Sequence, residues 1–512
     1  MLVLTLTMFA LYFGTEYMYR EAFINRLLYL LNMFATSVVC LFFSFDFFLI
    51  IFSWECIGLF SFLLVNFYST RMYTIKAALK TFVFSRISDM FMFLSFLLSI
   101  VIFNTTDLSL LFLQIPFTVF YYLHLGSYSY HLLTLFSLTI VLSGGIKAAQ
   151  FFSHVWLPDA MEAPTPASAL IHSSTLVVAG VFLVMRFSLL FEFVLFTNNF
   201  LMLWGSITLA FGAVTAIFQQ DIKKLVAYST ISQIGYLVCG CGFGCYEEVL
   251  LYLIIHAMNK AFLFVLVGYT VHFFNGNTDM RQMGNVYIYS FDLTIFLFGA
   301  CFNLAGLPYS AGFVGKEFLL FQVLKEDVLS LWTRGCWLVS FFFTPIYMFI
   351  LIFVVFFGSK KSTSPVYVAV MVTDSLYQAY FNNKNPFYTL VIQQMTYVTS
   401  RTTTLTLLLF WIFFFYSGEF LVMVLFNFST LTDSISSANF MFVKTHNIFS
   451  LEISCNSLDI NIAYFIWFFT TLSFYYLLNL TNQSVLVYTT KCSFIDKLYI
   501  FLFATIFITL FI

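Results

Sequence analysis

Charge is what this 512-residue chain has least of: Asp, Glu, Lys and Arg together make 9% of it, and the net charge is -1. So thin a supply excludes an electrostatic partner such as nucleic acid, and no polar interval is large enough for a soluble catalytic domain. Nucleotide and redox motifs are missing too. No Rossmann fingerprint follows a strand, no Walker A motif occurs, and the cysteine spacing suits no iron–sulfur cluster. His124 and His131 lie in a Tyr/Ser/Gly loop, which argues against haem ligation from facing helices. The N-terminus, MLVLTLTMFALYFGTEYMYR, has neither a basic n-region nor an Arg/Ser-rich amphipathic pattern, so it reads as neither a signal nor a transit peptide.

What is there is hydrocarbon: 61% apolar residues and 21% aromatics. Runs of roughly 20 residues, enough to cross about 30 Å of bilayer core, recur from residue 27 to the C-terminus, with shorter candidates at 2–14 and 108–124. The pattern predicts an all-α polytopic membrane protein with about 13 to 16 transmembrane helices. The strand-length alternation of a membrane barrel is absent. Phenylalanine, at 73 residues, exceeds what packing asks for and fits a T-rich organellar gene. The cluster CGCGFGC, with Cys239, Cys241 and Cys245, reads as small-residue helix packing or a tight turn, since no further Cys/His group or basic residue completes a metal or phosphate site. Polar intervals at 358–400 and 428–459 read as extramembrane connections.

A charge within a span costs about 2.5–3.5 kcal/mol on insertion scales, so each one is a functional candidate. Glu55 lies mid-run in FFLIIFSWECIGLFSFLLVNFY, roughly 12 Å deep at about 1.5 Å per residue; it is a transport group or half of a structural ion pair. Lys147 follows SGG and precedes Pro158, in a segment whose residues loosen or break a helix. Broken helices at membrane depth line protein or a water-filled cavity. There burial disfavours the ammonium and a nearby carboxylate favours it, a competition that makes a proton switch. The segment NLAGLPYSAGFVGKEFLLF repeats the pairing of helix breakers with a lysine, around Lys316 and Glu317, which suggests an internal repeat. Between the two, YLIIHAMNKAFLFVLVGY sets His256 and Lys260 at i, i+4 on one helix face, and His172 adds another titratable group. Arg86 and Asp89 stand three apart and can pair, with Asp89 also able to join the network around Glu55 and Lys147. Lys76 and Lys80 read as interfacial. His154, Asp159 and Glu162 flank prolines at a break or rim, serving gating or solvation. Glu419 is mid-apolar with no evident partner.

At these residues the chain resembles the subunit 5 family, the distal antiporter-like membrane subunits of respiratory complex I. The resemblance rests on FSWECIGLFSFLLVNFYSTRMYTIKAALKTFVFSRISD, GGIKAAQFFSHVWLPDAMEAPTPASALIHSSTLVVAGVFL, FQQDIKKLVAYSTISQIGY, HAMNKAFLFVLVG, DMRQMGN and GLPYSAGFVGKEFLL, and covers roughly residues 17–355 in order. It implies two inverted five-helix half-channel repeats containing broken helices, at 47–200 and 201–357. Shortened N-terminal helices would occupy 1–46, and C-terminal helices with polar connections and a reduced lateral helix would occupy 358–512. Glu55 and Lys147 would form the first repeat's carboxylate–lysine pair, with Asp89 a nearby acid. His172, His256 and Lys260 would extend the relay, and Lys316 with Glu317 would lie at the exit. Tyr252 stands where the family carries a histidine, so its hydroxyl or a water would have to serve there.

The resemblance further implies a proton-translocating subunit in the mitochondrial inner membrane. NADH, FMN, iron–sulfur clusters and ubiquinone would belong to other subunits. Expected partners are other membrane-arm subunits, above all a subunit 4-like neighbour, lipids such as cardiolipin, and a separate chain supplying the missing N-terminal helices. The alternatives are a stand-alone cation/proton antiporter and a structural subunit whose charges carry no protons.

Overall fold

A computed structural model describes residues 2–358, apart from 19–20, 22, 126–127, 275, 285, 289–290, 308–309 and 326–329. The expectations for the C-terminal segment, including Glu419, the two polar intervals and the lateral helix, lie outside the described residues.

Helices dominate because the sequence is apolar without interruption, and their ends fall where the few turn-forming residues are. The chain opens with α1 (Leu2–Tyr17), α2 (Ile24–Phe43), α3 (Phe47–Val65) and α4 (Met72–Phe103). Asp46 caps α3, its carboxylate accepting from Phe48 N at 3.3 Å, and Asn104 ends α4 in the left-handed conformation. The expected short span at 108–124 is instead α5 (Leu108–Thr118) running into a hairpin, β1 (Tyr122–Leu125) against β2 (Tyr128–His131). The run of Tyr and Ser after Pro116 suits a strand better than a helix. Among the described residues this hairpin is the departure from an all-helical chain.

Next come α6 (Leu132–Lys147), a short α7 (Trp156–Asp159), α8 (Thr165–Ser173), α9 (Leu176–Arg186) and α10 (Ser188–Glu192). They are followed by α11 (Leu195–Ile217), α12 (Ile222–Gly242), α13 (Tyr246–Phe273), α14 (Phe291–Ala305), α15 (Ala311–Lys325) and α16 (Ser330–Leu351). Among the described residues, eight helical stretches are long and apolar enough to cross a membrane. The α8–α9 pair, α12 and α13 are almost wholly enclosed by the others.

Glycine sets the closest contacts. A Cβ on Gly205 would meet Cys239 N at 2.5 Å, one on Gly212 would meet Ser232 N at 2.7 Å, and those on Gly235 and Gly242 would meet the backbone of Leu209 and Met202 at 2.6 Å. α11 and α12 therefore touch backbone to backbone along a small-residue seam. The pair contacts α6 and α9 on one side and α13 and α16 on the other. Gly242 belongs to this seam and Gly244, at φ +76°, turns the chain into α13, so CGCGFGC does serve helix packing and a tight turn.

Short backbone links tie the loops at each end of the bundle. At one end Phe47 N donates to Thr106 O at 2.9 Å and Leu108 N to Phe45 O at 3.0 Å. At the other, Ile222 N donates to Thr278 O at 3.0 Å and Met280 N to Gln220 O at 2.9 Å. In this second loop Asp279 caps the following turn and pairs with Arg281 at 2.7 Å. The Arg281 hydrogen bond holds the Asp279 carboxyl below its ordinary value of 3.8. A folded-state value below the unfolded one gives stability that is present above the ordinary value and lost as pH falls through the folded one. Arg281 is exposed and Asp279 partly so, which keeps the effect small. Asp279→Asn is expected to leave the thermal midpoint at neutral pH nearly unchanged and to flatten its decline in acid, measured in detergent from about pH 6 to about pH 3.

Candidate functional site

Lys147 ends α6 with 1% of its surface exposed. The two glycines before it do not break the helix. They let it be approached: a Cβ on Gly144 would lie 2.9 Å from Gly180 O of α9, and one on Gly145 would overlap the Trp204 ring. The break comes just afterwards, where Ala149 and Phe152 adopt φ values of 51° and 72°, a region costly for residues with a Cβ and one that clusters at functional sites. Burying an ammonium is costly unless it is paired and hydrogen-bonded. Here Nζ donates to Trp54 O at 2.6 Å, stands 4.1 Å from the centre of the Trp54 ring, and forms an ion pair with Asp89 Oδ1 at 3.4 Å. The other carboxylate oxygen of Asp89 faces Arg86 at 3.5 Å.

The carboxylate that meets Lys147 is therefore Asp89, and Glu55 does not meet it. Glu55 is exposed, on the stripe of α3 that carries the exposed Phe48, Phe52 and Leu59. The opposite stripe, with Trp54, Ile57, Gly58 and Ser61, faces inward. One residue of helix is a turn of about 100°, so Trp54 and Glu55, adjacent in sequence, point to different surroundings.

A row of titratable groups continues from Lys147. Trp156, whose Nε1 donates to Ile146 O at 3.1 Å, has its ring 6.4 Å from that of His172. His172 sits wholly buried in the last turn of α8, just before the helix breaks at Ser174–Thr175. Neither ring nitrogen of His172 has a hydrogen-bond partner among the described residues, nor do the hydroxyls of Ser173 and Ser174. α8 packs on α13, which presents His256 and Lys260 on one face, as the i, i+4 spacing predicts. Lys260, fully buried, donates to Ser229 Oγ at 2.5 Å and to Val226 O at 3.4 Å. His256 Nε2 and Asn259 Oδ1 are buried without hydrogen-bond partners among the described residues. An unsatisfied buried polar group costs about 1–3 kcal/mol, and buried water is what ordinarily satisfies such groups.

The second lysine-bearing break lies between α14 and α15. Gly306, at φ +76°, leaves the helix, and a Cβ there would crowd Lys316 Cδ at 3.1 Å. Lys316, 2% exposed, reaches back to donate to Leu304 O at 2.5 Å, and Gly312 N donates to Asn303 Oδ1 at 2.5 Å. Glu317 lies on α15, its side chain outside the described residues. Tyr252 packs against Gly315. Its hydroxyl donates to Gln233 Oε1, and Gln233 Nε2 donates to Tyr347 Oη at 3.3 Å. The tyrosine is thus joined to α12 and α16, with its ring 6.3 Å from that of His256.

Sequence reasoning missed Trp54, Trp156 and Gln150. Gln150, wholly buried, accepts from Thr208 Oγ1 at 2.8 Å and ties the break after Lys147 to α11. One signal was available: Thr74, Thr81, Ser85, Ser88, Asp89, Ser95 and Ser99 recur at helical spacing on the buried face of α4, a polar stripe in an apolar helix.

Comparison with known proteins places this geometry. Residues 44–344 match the model of the NADH:quinone oxidoreductase/Mrp antiporter transmembrane family. The chain is 39% identical over 430 residues to NADH-ubiquinone oxidoreductase chain 5 of Nyctotherus ovalis, covering 82% of this chain and 23% of that protein. To the same chain of Chondrus crispus it is 39% identical, covering 60% and 47%, and to that of Paramecium tetraurelia 36%, covering 75% and 67%. It thus spans less than half the length of the first two. The solved structure of an Mrp complex from Dietzia sp. DQ12-45-1b shares the fold, with a TM-score of 0.60 at 24% identity over 87% of this chain and 53% of that one. The chain belongs to the transmembrane family shared by NADH:quinone oxidoreductases and Mrp antiporters.

Proposed function

We propose that this chain is a proton-translocating, antiporter-like subunit of respiratory complex I, seated in the mitochondrial inner membrane and driven by redox chemistry in other subunits. NADH, FMN, iron–sulfur clusters and ubiquinone belong to those subunits. The observation that carries the reading is Lys147, a buried ammonium held by Asp89 and Trp54 O at a strained helix break. An inert core has no use for that arrangement; a group that must gain and lose a proton does.

Residues 47–200 and 201–357 act as two half-channels, the first around Lys147 and the second around Lys260 and Lys316. When Asp89 lies close, Lys147 keeps its proton. When Asp89 is drawn toward Arg86, the proton passes by water to His172, then to Lys260 and His256, and on to Lys316 and Glu317. Moving one charge through 100 mV costs about 2.3 kcal/mol, so several coupled sites divide the work. Arg71, Lys76, Lys223, Lys224 and Arg281 cluster at the bundle end that carries the α3–α4 and α11–α12 loops, which the positive-inside rule turns toward the matrix. The exposed Glu55 stripe is where a membrane-arm neighbour, subunit 4-like, covers the bilayer-facing carboxylate.

The test is purification through a tag on this chain and reconstitution into vesicles. The expected result is copurification with a large NADH-oxidising assembly and acidification that needs both NADH and a quinone. Sodium-for-proton exchange without quinone would identify a stand-alone antiporter. Pumping unchanged after removal of the chain would make it a structural subunit.

A further inference from the structure

An ammonium carries three N–H donors, and a buried one needs partners for its charge. Lys147 Nζ has three partners on two residues: Asp89 Oδ1 at 3.4 Å, the Trp54 carbonyl oxygen at 2.6 Å, and the face of the Trp54 indole, whose centre is 4.1 Å away. Trp54 therefore holds Lys147 twice, once by main chain and once by ring. A ring face attracts a cation and not a neutral amine, most strongly for tryptophan and where water is excluded, and Trp54 is wholly buried. Gly58, one turn further along α3, keeps the approach open, since a Cβ there would lie 3.9 Å from Asp89 Oδ2.

The ring is fixed where it stands. Its Nε1 donates to Ser88 Oγ at 3.2 Å, and Ser88 Oγ donates in turn to Ser143 O at 2.8 Å. Ser88 is next to Asp89 on α4, and Ser143 precedes Lys147 by one turn of α6. One chain of hydrogen bonds thus ties the indole to both helices that meet at the ion pair. Rotating the indole away would leave its buried N–H without a partner, which is costly. Asp89, by contrast, has Arg86 as a second partner at 3.5 Å. Of the two residues on Lys147, one has somewhere to go and the other is anchored.

The remaining charges on the elements around Lys147 lie exposed or are taken up elsewhere. On α4, Lys76 is exposed and Lys80 pairs with Asp159 of α7 at 2.6 Å. Glu55 of α3 and Glu192 of α10 are exposed. Arg186 of α9 turns to Ser44 O at 3.4 Å and to the Phe45 ring at 4.8 Å. α11 carries no charged residue, and His131 caps the far end of α6. We propose that Trp54 is a positioning residue for the proton carrier: its anchored indole gives the Lys147 ammonium a constant support, against which the movement of Asp89 toward Arg86 acts as the switch. This rests on the proposed role of Lys147. Without the ring the ammonium is worse supported, so Lys147 reloads only at a higher proton concentration.

The test uses the whole assembly in sealed vesicles and follows protons translocated per NADH oxidised from about pH 6 to about pH 9. In Trp54→Leu the alkaline fall of this ratio is expected about one pH unit lower than in wild type, a roughly tenfold higher proton concentration. In Trp54→Phe, which keeps an aromatic face, the fall should move by less than half as much. Ser88→Ala, which removes the anchor and leaves the ring, should move it the same way, and it decides the matter if Trp54→Leu does not assemble. A merely structural tryptophan would lower yield and amplitude at every pH and leave the position of the fall unchanged. That result overturns the proposal, as does an equal shift in Trp54→Leu and Trp54→Phe. If Lys147→Met stops translocation while Trp54→Leu keeps the wild-type profile, the carrier stands and this role of Trp54 falls; normal translocation in Lys147→Met would remove the carrier itself.

Discussion

Replacing Lys147 with methionine is expected to leave the assembly intact and to abolish most proton translocation per NADH oxidised. Methionine fills much of the same volume, so packing around Trp54 and Gly144 survives. What disappears is the transferable proton and the partner of Asp89. Removing one member of a buried ion pair costs about 3–5 kcal/mol when the other is stranded, but Asp89 retains Arg86 at 3.5 Å, so the loss falls below that range. The double variant Lys147→Met with Asp89→Asn should regain thermal stability without regaining pumping. That divergence separates a carrier from a strut, since a strut would recover both together. Positioned proton-transfer groups contribute roughly 10²–10⁴-fold to rates, so the rate of translocation, read by a pH-sensitive dye in vesicles, should fall by about two orders of magnitude. A fully assembled variant that pumps at the wild-type ratio would remove Lys147 from the path.

The second large effect is structural. Gly180→Val should prevent stable folding, because even a Cβ at 180 would overlap Gly144 O and lie 2.9 Å from the amide nitrogen and Cβ of Ala148. These are backbone atoms or are fixed to backbone, so no side chain can swing aside. Overpacking ordinarily costs about 1–3 kcal/mol; here the whole α6–α9 crossing must separate, and Lys147 moves with it. Gly335→Ala is the matched control, with nothing among the described residues within 4 Å of its would-be Cβ. It should be neutral or slightly stabilising, since alanine is the better helix former by about 1 kcal/mol. Yield and thermal midpoint in detergent decide both.

What could be read from the chain and what could not divides along physical lines. His256 and Lys260 were legible because a helix places i and i+4 together whatever surrounds it. The break near Lys316 was legible from its glycines; the one after Lys147 falls at Ala149 and Phe152, which no glycine or proline marks. Glu55 was expected beside Lys147 but lies on the exposed stripe, because α3 is apolar all round and its sequence carries almost no preference for which face turns inward. The meeting of Lys147 with Asp89, 58 residues apart in sequence, is a fact of packing between α4 and α6. The role of SGG was misjudged for a related reason: glycine loosens a helix or lets a neighbour close in, and only the neighbour, Gly180 or Trp204, decides which. The Lys80–Asp159 pair was hidden because a lysine near an interface is ordinarily explained by solvation alone.

The glycine seam between α11 and α12 bears on how such a machine can move. Transporters that rock need a plane along which one half slides past the other. Between the helices around Lys147 and those around Lys316 stands instead a keyed joint, with Cα ridges meshed at four places, and shearing it would drive carbonyls into amides. Large tilting is thereby blocked at the waist of the molecule. What is left to alternate is small: the swing of a carboxylate, the turn of a ring, the arrival or departure of single solvent molecules.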